Sequence, residues 1–319
     1  MTAVIQQAVE CVLSLFLIGL VGYVLARRNW FSPETRAMLP RLVTIVSLPP
    51  YLFVNVVRTF SRDELIHLVY GTVVPAISIV LTFALSLTLA RLMKVRHGRK
   101  YLFSVGFATS NTIFIGLPVN VTLFGEAALP YVLLYFFANT TFFWTIGNYC
   151  LSLDGDRGAP ERIFSLATAK RVFSPPLLGF FLGLALVLTE TPAPRFVLDA
   201  AGYVGSLTTP LAIIFIGITL AGVSLKTLKP DRDVVVLLLG RFVISPLVVI
   251  ILTRFIELPP LMAKVFIIQS TLPVISSAVL LSAYHRSDAQ YASVIVSLST
   301  LLSLLTIPIY MVLISVILF

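Results

Sequence analysis

Hydrophobic positions in this chain come in long unbroken runs, not in the alternation of a half-buried strand or the one-sided stripe of a soluble helix. Windows of about 20 residues, the length that crosses a bilayer as an α-helix, pick out ten runs. They lie roughly at 3–26, 38–57, 68–90, 101–124, 127–153, 172–189, 200–225, 234–253, 265–284 and 289–318. The pattern predicts an all-α polytopic membrane protein with ten transmembrane helices. A polar stretch, 154–171, opens on DGDRGAPER and separates five runs from five. The chain thus divides into a first half, 1–153, a linker, 154–171, and a second half, 172–319. The first run has no basic residue before Arg27 and no A-x-A site after it, so it reads as a span and not as a cleaved leader.

Five spans per half force the halves to face opposite ways across the membrane, a 5+5 inverted repeat. Matching signals recur in the same order. GLPV (116–119) in span 4 pairs with TLPV (271–274) in span 9. Pro75 in span 3 pairs with Pro246 in span 8, and PPYLF (49–53) in span 2 with TPLAI (209–213) in span 7. Span 4 is uncharged from Tyr101 to Phe124, yet its middle holds Asn111, Thr112, Gly116, Pro118, Asn120 and Thr122, all weak helix formers. Proline removes a backbone donor and clashes with the preceding turn, and in lipid every freed backbone group needs a partner. The expectation is that spans 4 and 9 are discontinuous and cross at Pro118 and Pro273, around a binding site near the midplane.

Half-helix N-termini at such a crossing present unpaired N–H groups and a positive dipole end, suited to a carboxylate. Side-chain donors come from Asn111, Thr112 and Asn120 in span 4 and from Gln269, Ser270, Thr271, Ser276 and Ser277 in span 9. Gly116 lets chains approach. Asn139, beside Thr140 and Thr141 in span 5, reads either as an interhelical hydrogen bond or as part of the site lining.

Composition agrees with the pattern: 58% hydrophobic and 12% charged residues over 319 positions, with mean hydropathy +1.00. A soluble domain of this length needs a far larger charged surface. The net charge of +9 is a matter of topology, not of nucleic acid. Seventeen of the 23 Lys and Arg lie at or beside the odd-numbered connections, which places those connections in the cytosol and both termini outside. The two cysteines, Cys11 and Cys150, fall within spans and imply neither a disulfide framework nor a metal site.

Two charges lie well inside predicted spans, and each needs a reason there. Glu10 reads as reaching the outer interface. Arg241 reads as snorkelling to the cytosolic interface, its alternative being to face the crossing and pair with a substrate carboxylate. No Asp or Glu occurs between residues 67 and 125 or between 259 and 287, and His67 and His285 read as interfacial. A neutral site of donors suits an anion moving without an obligatory cation. Sodium coupling through backbone and Ser/Thr/Asn oxygens stays open as an alternative. An intramembrane enzyme lacks an evident nucleophile–base or acid pair, and no cofactor or metal is implied.

NTIFIGLP (111–118), LFGEAALPYVLLY (123–135) and ANTTFFWTIGNY (138–149), with STLPVISSAVLLSAY (270–284) and ASVIVSLSTLLSLLTIPI (292–309), resemble the auxin efflux carrier family. That family includes plant auxin exporters and bacterial carriers of the malonate or malate permease type. The resemblance spans nearly the whole chain. It implies the bile acid sodium symporter-like fold, with spans 1, 2, 6 and 7 as a scaffold beside a mobile bundle of 3–5 and 8–10. It also implies elevator-type movement, organic anion transport and a homodimer in the cell membrane. The long cytosolic loop of the plant exporters is missing here.

Overall fold

A computed structural model describes residues 2–62, 70–156, 163, 165–222 and 230–314, with the backbone alone for 2–12, 166 and 167. Among the described residues the chain is all-helical, apart from one isolated antiparallel bridge. Six helical stretches are long and apolar enough to cross a membrane: Pro33–Thr59, Val73–Leu92, Glu126–Asp154, Arg195–Ala221, Arg232–Phe255 and Ala289–Leu313. Shorter apolar helices cover Leu13–Arg27, Thr112–Phe124, Pro175–Leu188 and Pro260–Ser270. The linker residues 157–162 and 164, His67 and the side chain of Glu10 lie outside what is described.

The helices named below are α1 Thr2–Arg27, α2 Leu48–Thr59, α3 Val73–Leu92, α4 Lys100–Ala108, α5 Leu117–Phe124 and α6 Leu129–Phe142. In the second half they are α7 Pro175–Leu188, α8 Thr208–Ala221, α9 Arg232–Leu239, α10 Ser245–Phe255, α11 Pro260–Ser270, α12 Ser277–His285 and α13 Ala289–Leu313. Prolines mark the starts of many of them, where the missing N–H is no loss: Pro49, Pro118, Pro130, Pro175 and Pro246 all sit in the first two helical positions.

Two helix pairs meet backbone to backbone because glycine lines the seam. α1 packs on α8, where a Cβ at Gly217 would stand 1.9 Å from Gly19 O and one at Gly22 would stand 2.2 Å from Ile214 O. α7 packs on α2, where Gly179 would meet Pro49 O at 2.3 Å and Gly183 would meet Phe53 O at 3.0 Å. The GFFLG sequence is thus a contact surface. Gly217→Val is expected to part α1 from α8, since neither backbone can give way. The checkable outcome is loss of the monodisperse peak on size exclusion in detergent, with Gly202→Val, which meets nothing within 4 Å, as the control.

Four of the odd-numbered connections, 3–4, 5–6, 7–8 and 9–10, meet one another. Arg99 bonds Asp288 through Nε at 2.5 Å and Asp231 through Nη1 at 2.8 Å, and its guanidinium lies 4.8 Å over the Tyr291 ring. Asp154 accepts from the N–H groups of Tyr101 and Leu102, at 2.7 and 2.8 Å, and so caps α4 from another connection. Two of the even-numbered connections, 2–3 and 6–7, pair with each other: Arg58 with Asp199 and Arg62 with Glu190. Those two pairs are largely exposed and contribute little to stability.

Asp288 is the member of this network with a readable pH signature. Partial burial pushes its carboxyl up. The Tyr291 N–H and Arg99 more than offset that, so the net shift is downward. A depressed folded value means stability that is present above the ordinary carboxylate range and lost as pH falls through the folded value. Asp288→Asn keeps the helix cap but removes the charge. Its melting midpoint is expected about 2–5 °C below wild type at pH 7, with the gap closing toward pH 3. A gap that does not change with pH would show that the charge contributes nothing.

Candidate functional site

α4 stops at Ala108, and helical structure resumes only at the wide turn Thr112–Gly116 that leads into α5. α11 stops at Ser270, and α12 starts at Ser277. The two interruptions lie against each other. Ser110 and Val274 form the antiparallel bridge, and Asn111 N donates to Pro273 O at 2.9 Å. Pro273, with no N–H, can only accept there, and it does.

The other freed backbone groups find side chains, as a membrane interior demands. Asn139 of α6 pairs with Ser110 as a strand would: its Oδ1 accepts from Ser110 N at 2.9 Å and its Nδ2 donates to Ser110 O at 3.0 Å. Ser299 of α13 accepts from Val274 N at 3.1 Å. Arg241 donates through Nη1 to Phe107 O at 3.0 Å and through Nη2 to Ser270 O and, at 3.4 Å, to Ser110 Oγ. Ser245 Oγ donates to the same Phe107 O at 3.2 Å. The buried Tyr135 hydroxyl joins this cluster through Ser78, Ser110 and Arg241.

Across the crossing, Asn111 Nδ2 donates to Ser276 Oγ at 2.9 Å. This bond joins the start of the Thr112–Gly116 turn to the start of α12. Asn111 and Thr112 are buried, whereas Phe114, Ile275, Ser276 and Ser277 are half-exposed, so this is the open side of the crossing. Gly116 lets the side chains of span 9 close in: a Cβ would stand 2.4 Å from both Gln269 Oε1 and Leu272 Cδ1, and both side-chain ends would have to move. Gln269 Nε2 reaches Thr112 O at 3.5 Å. The polar hydrogens of Asn120 and Thr271 turn onto their own segments, Asn120 to Gly116 O at 2.7 Å and Thr271 to Ile268 O at 2.8 Å. Pro118 is buried at the second position of α5. Of the residues singled out in the sequence, Asn111, Pro273, Ser276, Asn139 and Arg241 bond across or onto the two interruptions, Gln269 reaches Thr112 O, and Asn120 and Thr271 bond within their own segments. Asn111, Thr112 and Ser276 stand at the open side of the crossing, while Asn139 and Arg241 hold its backbone.

A family model described as "Membrane transport protein" matches residues 7–311. The chain belongs to this membrane transport protein family, that of the auxin efflux carriers. It is 27% identical over 307 residues to an "Uncharacterized transporter" of Methanothermobacter thermautotrophicus, covering 96% of this chain and 98% of the relative. It is 24% identical over 303 residues to a "Putative malonate transporter" of Rhizobium meliloti, covering 93% and 92%. This family member is accordingly a multi-pass membrane transport protein.

One expectation for this transport protein is corrected. Arg241 does not snorkel. It is fully buried, because the wide turn Gly240–Ile244 between α9 and α10 aims it inward at carbonyls that the two interruptions leave without partners. His285 lies at the loop edge, as the last residue of α12, and is buried there under the 5–6 connection. It is 2% exposed, with Nε2 2.9 Å from Asn148 Oδ1, because α12 is short and ends beneath Gly155, whose Cβ would strike His285 O at 1.9 Å.

Sequence reasoning also missed contributors. Ser299 and Ser110 carry no signal beyond a polar residue in an apolar run. Glu126 read as a connection residue, but Tyr51 donates to both its carboxylate oxygens, at 3.2 and 3.1 Å, tying α2 to the end of α5. A groove of about 480 Å³ lies elsewhere, lined by Val57, Phe60, Arg62, Leu186, Glu190 and Pro192, and takes no part in the crossing.

Proposed function

We infer that this protein is a secondary transporter of small organic anions, carboxylates of the malonate kind, using the crossing of its two interrupted segments as the substrate site. The observation that carries this is the Asn111–Ser276 contact, where two helical N-termini converge beside buried amide and hydroxyl groups. Converging N-termini favour negative charge. The relative named for malonate is consistent with that chemistry.

The finer architecture is part of the same inference: ten transmembrane helices as a 5+5 inverted repeat with spans 4 and 9 discontinuous. Each of the ten hydrophobic windows carries one of the six long or four shorter apolar helices, which supports the count. Span 1 packs on span 7 and span 6 on span 2, pairings that exchange when the halves are swapped. Spans 1, 2, 6 and 7 pack among themselves through these glycine seams, and the remaining spans pack around the crossing. That division supports elevator-type alternating access of a mobile bundle on a scaffold, assembled as a homodimer in the cell membrane. The meeting of four of the Lys/Arg-rich odd connections with one another supports a cytosolic location for them, with both termini outside.

The test is uptake of labelled malonate, malate and indole-3-acetate into proteoliposomes, with sodium and pH gradients imposed or absent. Saturable flux of at least one anion is expected. Flux that collapses when choline replaces sodium would turn the reading to symport. No flux of any of the three under any gradient would overturn the organic anion assignment.

A further inference from the structure

Arg241 is a permanent cation with no exposed surface. Among the described residues no carboxylate pairs with it, since the ion pairs there belong to Arg58, Arg62 and Arg99. Its shortest bonds are to carbonyl oxygens, with Ser110 Oγ at 3.4 Å and the Tyr135 hydroxyl beside them. Phe107 O belongs to the last turn of α4, and Ser270 O is the final carbonyl of α11. Both lack their usual partner four residues on because the chain leaves the helix at 109–111 and at 271–276. Each helix end carries roughly half a negative charge, so the two facing ends together present about one. One guanidinium matches that charge, with Nη1 on one end and Nη2 on the other, while Nε is buried without a hydrogen-bond partner.

In transporters built from broken helices, half-helix C-termini and unwound carbonyls are where a coupling cation binds. Here that place is filled from within the chain. We propose that Arg241 is a built-in cation that takes the position of a dissolved sodium or potassium ion at the negative ends of the two interrupted segments, making transport independent of any bound monovalent cation. The inference rests on reading the crossing as the transport site, and it deepens that reading. With both negative ends neutralised and no acidic side chain at the crossing, the helical N-termini at Asn111 and Ser276 remain as the uncompensated poles, and the charge they accept is negative. Arg241 is a positioning residue: its donors are turned to the backbone, away from the open side where substrate would sit. It travels with the crossing, so no ion has to be bound and released in each cycle.

The first experiment needs no knowledge of the substrate. The melting midpoint of the purified full-length protein is measured in sodium, potassium, choline and low-millimolar guanidinium chloride at constant ionic strength, for wild type, Arg241→Lys and Arg241→Ala. Wild type is expected to melt at the same temperature in all four salts. R241A is expected to melt about 10 °C lower in choline and to recover at least half of that loss in guanidinium or sodium. A residue with a purely packing role would not be rescued by a small cation.

In proteoliposomes, malonate flux is expected to be equal in sodium and choline for wild type and for R241K. In R241A it is expected to fall at least about tenfold in choline and to be partly restored by guanidinium. A sodium-dependent midpoint or flux in wild type overturns the proposal, as does an R241A protein that melts and transports like wild type without added cation. Should R241A fail to fold, the wild-type salt series and R241K decide the matter. Rescue of the R241A midpoint without any malonate movement would uphold the built-in cation and sink the malonate reading alone.

Discussion

Replacing Asn111 by Ala is expected to cut anion flux roughly 30- to 1,000-fold while leaving the protein folded. The asymmetry follows from which atoms the substitution removes. The Asn111 backbone N–H still donates to Pro273 O, so the bridge between the interruptions stays intact. What disappears is the amide that donates to Ser276 Oγ and stands at the mouth of two helical N-termini. Losing a neutral hydrogen bond costs about 1 kcal/mol and losing one to a charged ligand about 1.5–3 kcal/mol. Together that is about 2–4 kcal/mol, which sets the range of flux. The comparison is initial uptake at matched protein density, beside melting midpoints that differ by no more than a few degrees. Wild-type flux in this variant would remove Asn111 from the site.

The opposite signature is expected of Asn139→Leu, which keeps the side chain's bulk but removes both polar atoms. Ser110 N would then be left without a partner in a fully buried position, and Ser110 O would keep only its bond from the Thr112 N–H. The unsatisfied N–H costs about 1–3 kcal/mol and the lost bond to Ser110 O about 0.5–1.5 kcal/mol. The variant is thus expected to lose about 2–4 kcal/mol of stability, read as a midpoint lower by roughly 5–15 °C. Flux should fall with folded protein and not ahead of it. A midpoint within a degree of wild type would mean that water takes over both hydrogen bonds, and Asn139 would then be a lining residue after all.

These two variants separate what was legible in the sequence from what was not. A weak point in each run was legible, because GLPV and TLPV sit at matching places in two hydrophobic runs and proline acts on the backbone wherever it stands, but its position was not: span 4 breaks at 109–111, and Pro118, where the crossing was expected, is already helical in α5. The list of polar residues around it was legible for the same reason: a polar side chain in an apolar run must have a partner. The division of labour among them was not. Asn111 and Asn139 look alike as letters, yet one faces the open side and the other replaces a strand partner. Only the packing of α6 on the bridge distinguishes them. Arg241 shows the limit most clearly. A long flexible cation a few turns from a helix end snorkels when lipid or water is its neighbour, and burrows when unpaired carbonyls are.

The sequence by itself determined an all-helical membrane transport protein with weak points at Pro118 and Pro273, because hydrophobic length and proline chemistry act locally. The tertiary structure decided that the first break falls at 109–111, ahead of Pro118, and that it meets the break around Pro273 through the Ser110–Val274 pair. It also decided that one buried guanidinium closes both helix ends. These contacts join residues 29 to 164 positions apart, and their partners are backbone groups, which every residue carries and no sequence pattern can single out.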